Sequence, residues 1–78
     1  MFKWTDVKQF CEKDGWKLYK QTNRWYYRKI MPDGTLKRVK IYMEDAEISA
    51  LMWKEILARQ LQVSQADFDA IINRPPGK

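Results

Sequence analysis

Residues 16–42 read WKLYKQ-TN-RWYYRKIM-PDG-TLKRVKIY, and the fold of the chain turns on them. Three stretches rich in aromatic and β-branched residues are separated by two turn signals. Thr22-Asn23 suits a tight turn, because Asn tolerates the left-handed backbone region. Pro32-Asp33-Gly34 sets Pro at the front of a turn and Gly where a positive φ is needed. Residues 16–21 alternate Trp16, Leu18 and Lys20 against Lys17, Tyr19 and Gln21. Residues 35–42 set Val39 and Ile41 against Arg38, Lys40 and Tyr42. The pattern predicts a three-stranded antiparallel meander over 16–21, 24–31 and 35–42.

Outside this stretch the apolar period lengthens to that of a helix. Val7, Phe10 and Cys11 share one face of a first helix, with Thr5 as its expected N-cap and Gly15 as its stop. A second helix is expected from about Glu44, with Ile48, Leu51, Met52, Trp53, Ile56 and Leu57 forming its apolar stripe. Gln60–Val63 reads as a connector, and Ser64 with Asp67 opens a last helix that buries Phe68, Ile71 and Ile72. The order is α-β-β-β-α-α: an α+β domain whose three-stranded antiparallel sheet carries helices on one face. A single domain is expected over 1–72, with 73–78 as a flexible tail.

Composition narrows the chemistry. The 78 residues contain one Cys and no His, which excludes a disulfide framework, a Cys/His zinc site and an imidazole base. No apolar run approaches the ~20 residues that span a bilayer, and no signal peptide is recognisable. A cytoplasmic protein with no membrane partner is expected. Cys11, beside Val7 and Phe10, reads as a small buried hydrophobe, and Met31, Met43 and Met52 as fillers of the core. Glu44, Asp45 and Glu47 could attract Mg²⁺, but acids at a helix start more commonly complement its dipole. Neither a cofactor nor a metal is expected.

The chain carries a net charge of +5, unevenly spread. Residues 16–42 hold Lys17, Lys20, Arg24, Arg28, Lys29, Lys37, Arg38 and Lys40 against the single acid Asp33, and the remainder is slightly acidic. Alternation assigns Trp16, Leu18, Trp25, Tyr27, Val39 and Ile41 to the helix side. The opposite face then shows Lys17, Tyr19, Arg24, Tyr26, Arg28, Arg38, Lys40 and Tyr42. Cations pair with phosphates and tyrosines stack on unpaired bases, so these eight residues form a candidate nucleic-acid surface. A solvated face that guards the sheet against aggregation is the plainer alternative.

The element order, with several local signatures, resembles the HicA family of small toxins over about residues 5–72. Gly15-Trp16 matches that family's Gly-Trp at the end of the first helix. Thr22-Asn23-Arg24, followed by Trp25-Tyr26-Tyr27, stands where the family has Gly-Ser-His and a short hydrophobic run. Trp53-Lys54-Glu55-Ile56-Leu57, then Gln62-Val63-Ser64 and Phe68, keep the spacing of its later helices. The resemblance implies a double-stranded-RNA-binding-domain-like fold and an mRNA interferase ancestry. It also places Arg24 where the family's catalytic His would stand. Arginine stays protonated and cannot take a 2′-hydroxyl proton, so RNA binding without catalysis is the expectation.

Two other readings remain open. Residues 24–42 look similar to the three-stranded arm-binding domains of phage-type integrases, which insert a sheet into the DNA major groove. Exposed tyrosines and arginines also serve protein interfaces, here for an acidic, antitoxin-like partner.

Overall fold

A computed structural model describes residues 2–74. It shows the α+β order expected, α-β-β-β-α-α, around one three-stranded antiparallel sheet. Helix α1 spans Trp4–Lys13, the strands are β1 Lys17–Gln21, β2 Arg24–Ile30 and β3 Leu36–Tyr42, and two further helices follow.

Helix α1 begins two residues earlier than expected. Lys3, not Thr5, holds the N-cap position and donates its backbone N–H to Asp6 Oδ2 at 2.9 Å. The earlier start lets Trp4 sink into the core, edge-on to Tyr42 with ring centres 4.8 Å apart. The helix ends as its glycine predicts. Gly15 takes φ +80°, and the Trp16 N–H reaches back to the Cys11 carbonyl at 2.9 Å, closing a Schellman turn.

Helix α1 lies along β2, running in the same direction. Lys8 Nζ stands 5.1 Å from the centre of the Trp25 ring, the Tyr27 hydroxyl donates to Glu12 at 3.2 Å, and Lys29 bonds Asp14 Oδ2 at 3.0 Å. Four helical residues rise about 6.0 Å and two strand residues about 6.6 Å, so 8 and 12 keep step with 25 and 27. Lys8 also pairs with Glu12 at 2.6 Å. The hydrogen bond from Lys8 holds Glu12 below the usual carboxylate range, and its counterpart raises Lys8. Burial pushes the Tyr27 phenol up.

The hairpin β2–β3 closes on Met31–Thr35, with Gly34 at φ +90° and its N–H bonded to the Met31 carbonyl at 2.8 Å. Asp33 accepts from the backbone and hydroxyl of Thr35, which lowers its pKa. Between β1 and β2 the register breaks. Leu18 lies opposite Tyr27, but Lys20 lies opposite Tyr26, leaving Tyr19 as the extra residue of a β-bulge.

The second helix departs furthest from expectation. Helix α2 spans Ala50–Glu55 rather than starting near Glu44, because Ser49 is the residue that caps it, accepting from the Met52 N–H at 3.2 Å. Residues 43–49 form an irregular connection, tied down by the Ile48 N–H on the Phe2 carbonyl and a bridge between Lys3 and Glu47. Glu44, Asp45 and Glu47 therefore do not sit at a helix start. Asp45 instead pairs with Lys3 at 3.3 Å.

Beyond Glu55, α2 runs on into a π-helical stretch, Ile56–Leu61, which takes in Gln60 and Leu61 of the expected connector. Its wider turn brings both Ile56 and Leu61 into the core and turns Gln60 toward the sheet. Gln60 Oε1 accepts the Lys40 backbone N–H at 3.2 Å, so the outer margin of β3 is covered. Gln62 ends the stretch in the left-handed region at φ 56°. Helix α3, Gln65–Ile72, starts at Ser64, which accepts from the Asp67 N–H at 3.1 Å.

The core lies between the sheet and the helices. Phe68 of α3 is fully buried, stacked on Phe10 at 4.9 Å and edge-on to Trp53 at 4.8 Å and Phe2 at 5.2 Å. Val7, Phe10, Cys11, Tyr27, Val39 and Ile41 complete its centre. Four inward expectations fail at its margins, the furthest being Leu51 of the expected apolar stripe, which is 75% exposed. Met43 and Met52 face solvent, and Leu18, though on the helix side, is 45% exposed because no helix covers β1. Asn73 and Arg74, expected in the tail, continue from α3: Lys13 Nζ donates to the carbonyls of Ile72 and Arg74 at 2.7 and 2.9 Å. Residues 75–78 of the expected tail lie outside the described residues.

Candidate nucleic-acid interface

Cross-strand partners share a face of a sheet, so the register fixes which side chains stand together. Arg24 pairs with Tyr42, Tyr26 with Lys40, Arg28 with Arg38 and Ile30 with Leu36. Lys17 lies beside Arg28, and Lys20 beside Tyr26. Tyr19 joins them from the bulge, with its ring 6.3 Å from that of Tyr26. The structure thus brings Lys17, Tyr19, Arg24, Tyr26, Arg28, Arg38 and Lys40 onto one face, the one turned away from α1, with half-buried Tyr42 at its margin, where its ring also meets Trp4.

Lys20 also belongs to this face, which strict alternation misses. Counted from Lys17, position 20 falls on the helix side with Leu18. The bulge reverses the phase after Leu18 and rotates Lys20 outward. Alternation alone carried no mark of it.

The charges on the two faces are handled differently. On the helix side, Lys29 and Lys37 lie opposite one another. Lys29 is neutralised by Asp14, and Lys37 donates to the Gln62 carbonyl at 3.4 Å. On the open face, Lys17, Arg28 and Arg38 stand side by side across all three strands. Like charges directly opposite destabilise a sheet. Yet among the described residues no carboxylate comes within salt-bridge distance of Lys17, Lys20, Arg24, Arg28, Arg38 or Lys40.

What these cations find instead is aromatic. The Arg28 guanidinium lies 5.0 Å from the centre of the Tyr19 ring, Lys20 Nζ 5.2 Å from Tyr26, and the Arg24 guanidinium 4.8 Å from Tyr42. Lys40 Nζ also approaches Tyr42, at 5.6 Å. Such contacts contribute about 0.5–1 kcal/mol at exposed sites, less than a charge gains from a phosphate held by several donors. Toward the β2–β3 turn the face ends in apolar Ile30 and Leu36. A hollow of about 260 Å³ at that end is walled by Gly15, Lys17, Arg28, Lys29 and Ile30. It is smaller than the ~300–1,000 Å³ of most small-molecule sites.

Other chemistry finds little footing. Cys11 is buried, and burial pushes its thiol far above the ordinary range, so it is no nucleophile. Among the described residues, no group of three or more His, Cys, Asp or Glu side chains could hold a metal ion. No helix among them is long and apolar enough to cross a membrane. Comparison with protein families, curated proteins and solved structures finds no match.

Proposed function

We propose that this chain is an RNA-binding domain that holds phosphates on the open face of its sheet. The observation that carries the reading is the contrast between the faces: behind the sheet Lys29 bonds the Asp14 carboxylate and Lys37 a backbone carbonyl, while among the described residues the cations in front meet only aromatic rings. A row of adjacent unneutralised cations costs stability in the free protein, and a polyanion laid across it relieves that cost. The resemblance to HicA supports RNA over DNA as the polyanion. In this reading Arg24 is a phosphate clamp, not a base, and the domain binds RNA without cutting it. The lone cysteine fits a reducing cytosol. An acidic protein of antitoxin type would compete for the same face.

The test is a titration of labelled RNA against the protein at several salt concentrations. A face that contacts four phosphates gives a log–log slope of about −3 on a single strand and −3.6 on a duplex. Absence of binding at low salt would refute the proposal, and a clear preference for duplex DNA would redirect it to the integrase-like reading.

A further inference from the structure

The proposed RNA surface leaves open which form of RNA it takes. Building on that reading, we infer that the face is made for a single strand with splayed bases, and that the cation–tyrosine pairs open to admit it.

Each of Tyr19, Tyr26 and Tyr42 has a cation over its ring, and each lies on a different strand. A base can stack on the occupied side of such a ring only once the cation leaves it. The cation leaves readily for a phosphate, the stronger partner. A ligand that supplies phosphates alone therefore strips the rings and returns nothing to them. A single strand supplies both halves of the exchange: its phosphates take the cations and its unpaired bases take the rings.

The geometry of the rings selects further. Tyr19 and Tyr26 are 6.3 Å apart and inclined at 60°. Bases in a helical stack repeat at about 3.4 Å and lie parallel. Two neighbouring bases can follow these rings only by leaving each other's stack, which a duplex forbids and a single strand permits. Along the strands, side chains of one face repeat at about 6.7 Å, so cations and rings alternate on the scale of one stretched nucleotide. Duplex RNA is recognised by modules that span about 16 base pairs across two minor grooves. A sheet face about 10 Å wide from β1 to β3 does not by itself span two successive minor grooves.

The experiment compares three labelled RNAs on the wild-type domain: an octauridylate, an abasic phosphodiester of the same length, and a 16-base-pair duplex. Fluorescence anisotropy reads binding at two salt concentrations. The octauridylate should bind at least about fivefold tighter than the abasic strand for each base stacked, with the same salt slope. Tyr19→Leu, an exposed position that leaves the core untouched, should narrow that gap about fivefold while leaving the salt slope the same. Equal affinity for octauridylate and abasic strand, or tighter binding of the duplex, would overturn the single-strand inference while leaving RNA binding intact. No binding of any of the three at low salt would overturn both.

Discussion

Arg28 and Lys29 are neighbours in β2 with the same charge, yet their side chains leave the sheet on opposite sides. Replacing each in turn by Met removes one cation and its donors while keeping the aliphatic stem. Arg28→Met removes a charge from the row with Lys17 and Arg38, and one phosphate contact from the proposed face. The salt slope on a single strand should shrink by about 0.7, and affinity near physiological salt should fall about fivefold, roughly 1 kcal/mol. Stability should hardly move. The cation–π contact with Tyr19, about 0.5–1 kcal/mol, is offset by the like-charge repulsion that is relieved.

Lys29→Met does the reverse. Lys29 Nζ bonds the Asp14 carbonyl at 2.9 Å and its carboxylate at 3.0 Å, with both side chains largely sheltered. Losing these bonds should cost about 1–2 kcal/mol, a fall in Tm of about 5–10 °C for a domain of this size. RNA affinity should stay within about twofold, since Lys29 is already neutralised. Anisotropy titrations and thermal melts of the two variants give all four numbers. If both variants lost equal affinity with equal change of slope, net charge rather than one face would govern binding, and the reasoning would fail.

Three further outcomes follow from the packing. Phe68→Ala removes the one fully buried side chain of α3 and should cost about 3–5 kcal/mol, a large share of the stability of about 4–12 kcal/mol expected for this length; urea titration followed by Trp fluorescence would show it. Gln62→Gly should stabilise the domain by about 0.5–1 kcal/mol in the same assay, because Gly relieves the left-handed backbone at φ 56° but loosens the unfolded chain. The trio Lys8, Glu12 and Tyr27 sets a pH window. Glu12 is held below 4.5, so its contribution is complete above that pH and is lost as pH falls through the folded value. Tyr27 and Lys8 are raised above 10.0 and 10.5, so theirs is complete below those values and is lost as pH climbs past the folded ones. Glu12→Gln should flatten the acid limb of a Tm-against-pH curve, and an unchanged limb would show that the contact contributes nothing.

The meander was legible because its signals are local. Gly34 and the Pro32-Asp33 pair dictate a turn wherever they stand, and the alternation of Val39 and Ile41 with Arg38 and Lys40 is intact along β3. Most of the basic face followed from that alternation. Lys20 did not, since a bulge is an accident of pairing between two strands and neither strand announces it. The start of α2 was misplaced for a related reason. Glu44 to Ile48 suits a helix locally, but Ile48 is drawn to the Phe2 carbonyl, and only Ser49 is free to cap. The π-helical turn was invisible because its cause lies across the fold, where burying Ile56 and Leu61 together outweighs the ordinary helical spacing. Leu18 looked like a core residue because a strand pattern says which side a residue faces, not how far the covering helix reaches.

The two margins of the sheet differ, and that difference governs how the domain could grow. At β3 the backbone donor of Lys40 is occupied by Gln60, so no further strand can add there without displacing a helix. At β1 the margin is uncovered, but the bulge at Tyr19 breaks the even spacing of donors and acceptors after two residues. A docking strand would find a footing too short to hold register, flanked by Lys17 and Lys20. Strand-to-strand pairing between copies of this domain is therefore disfavoured at both margins of the sheet.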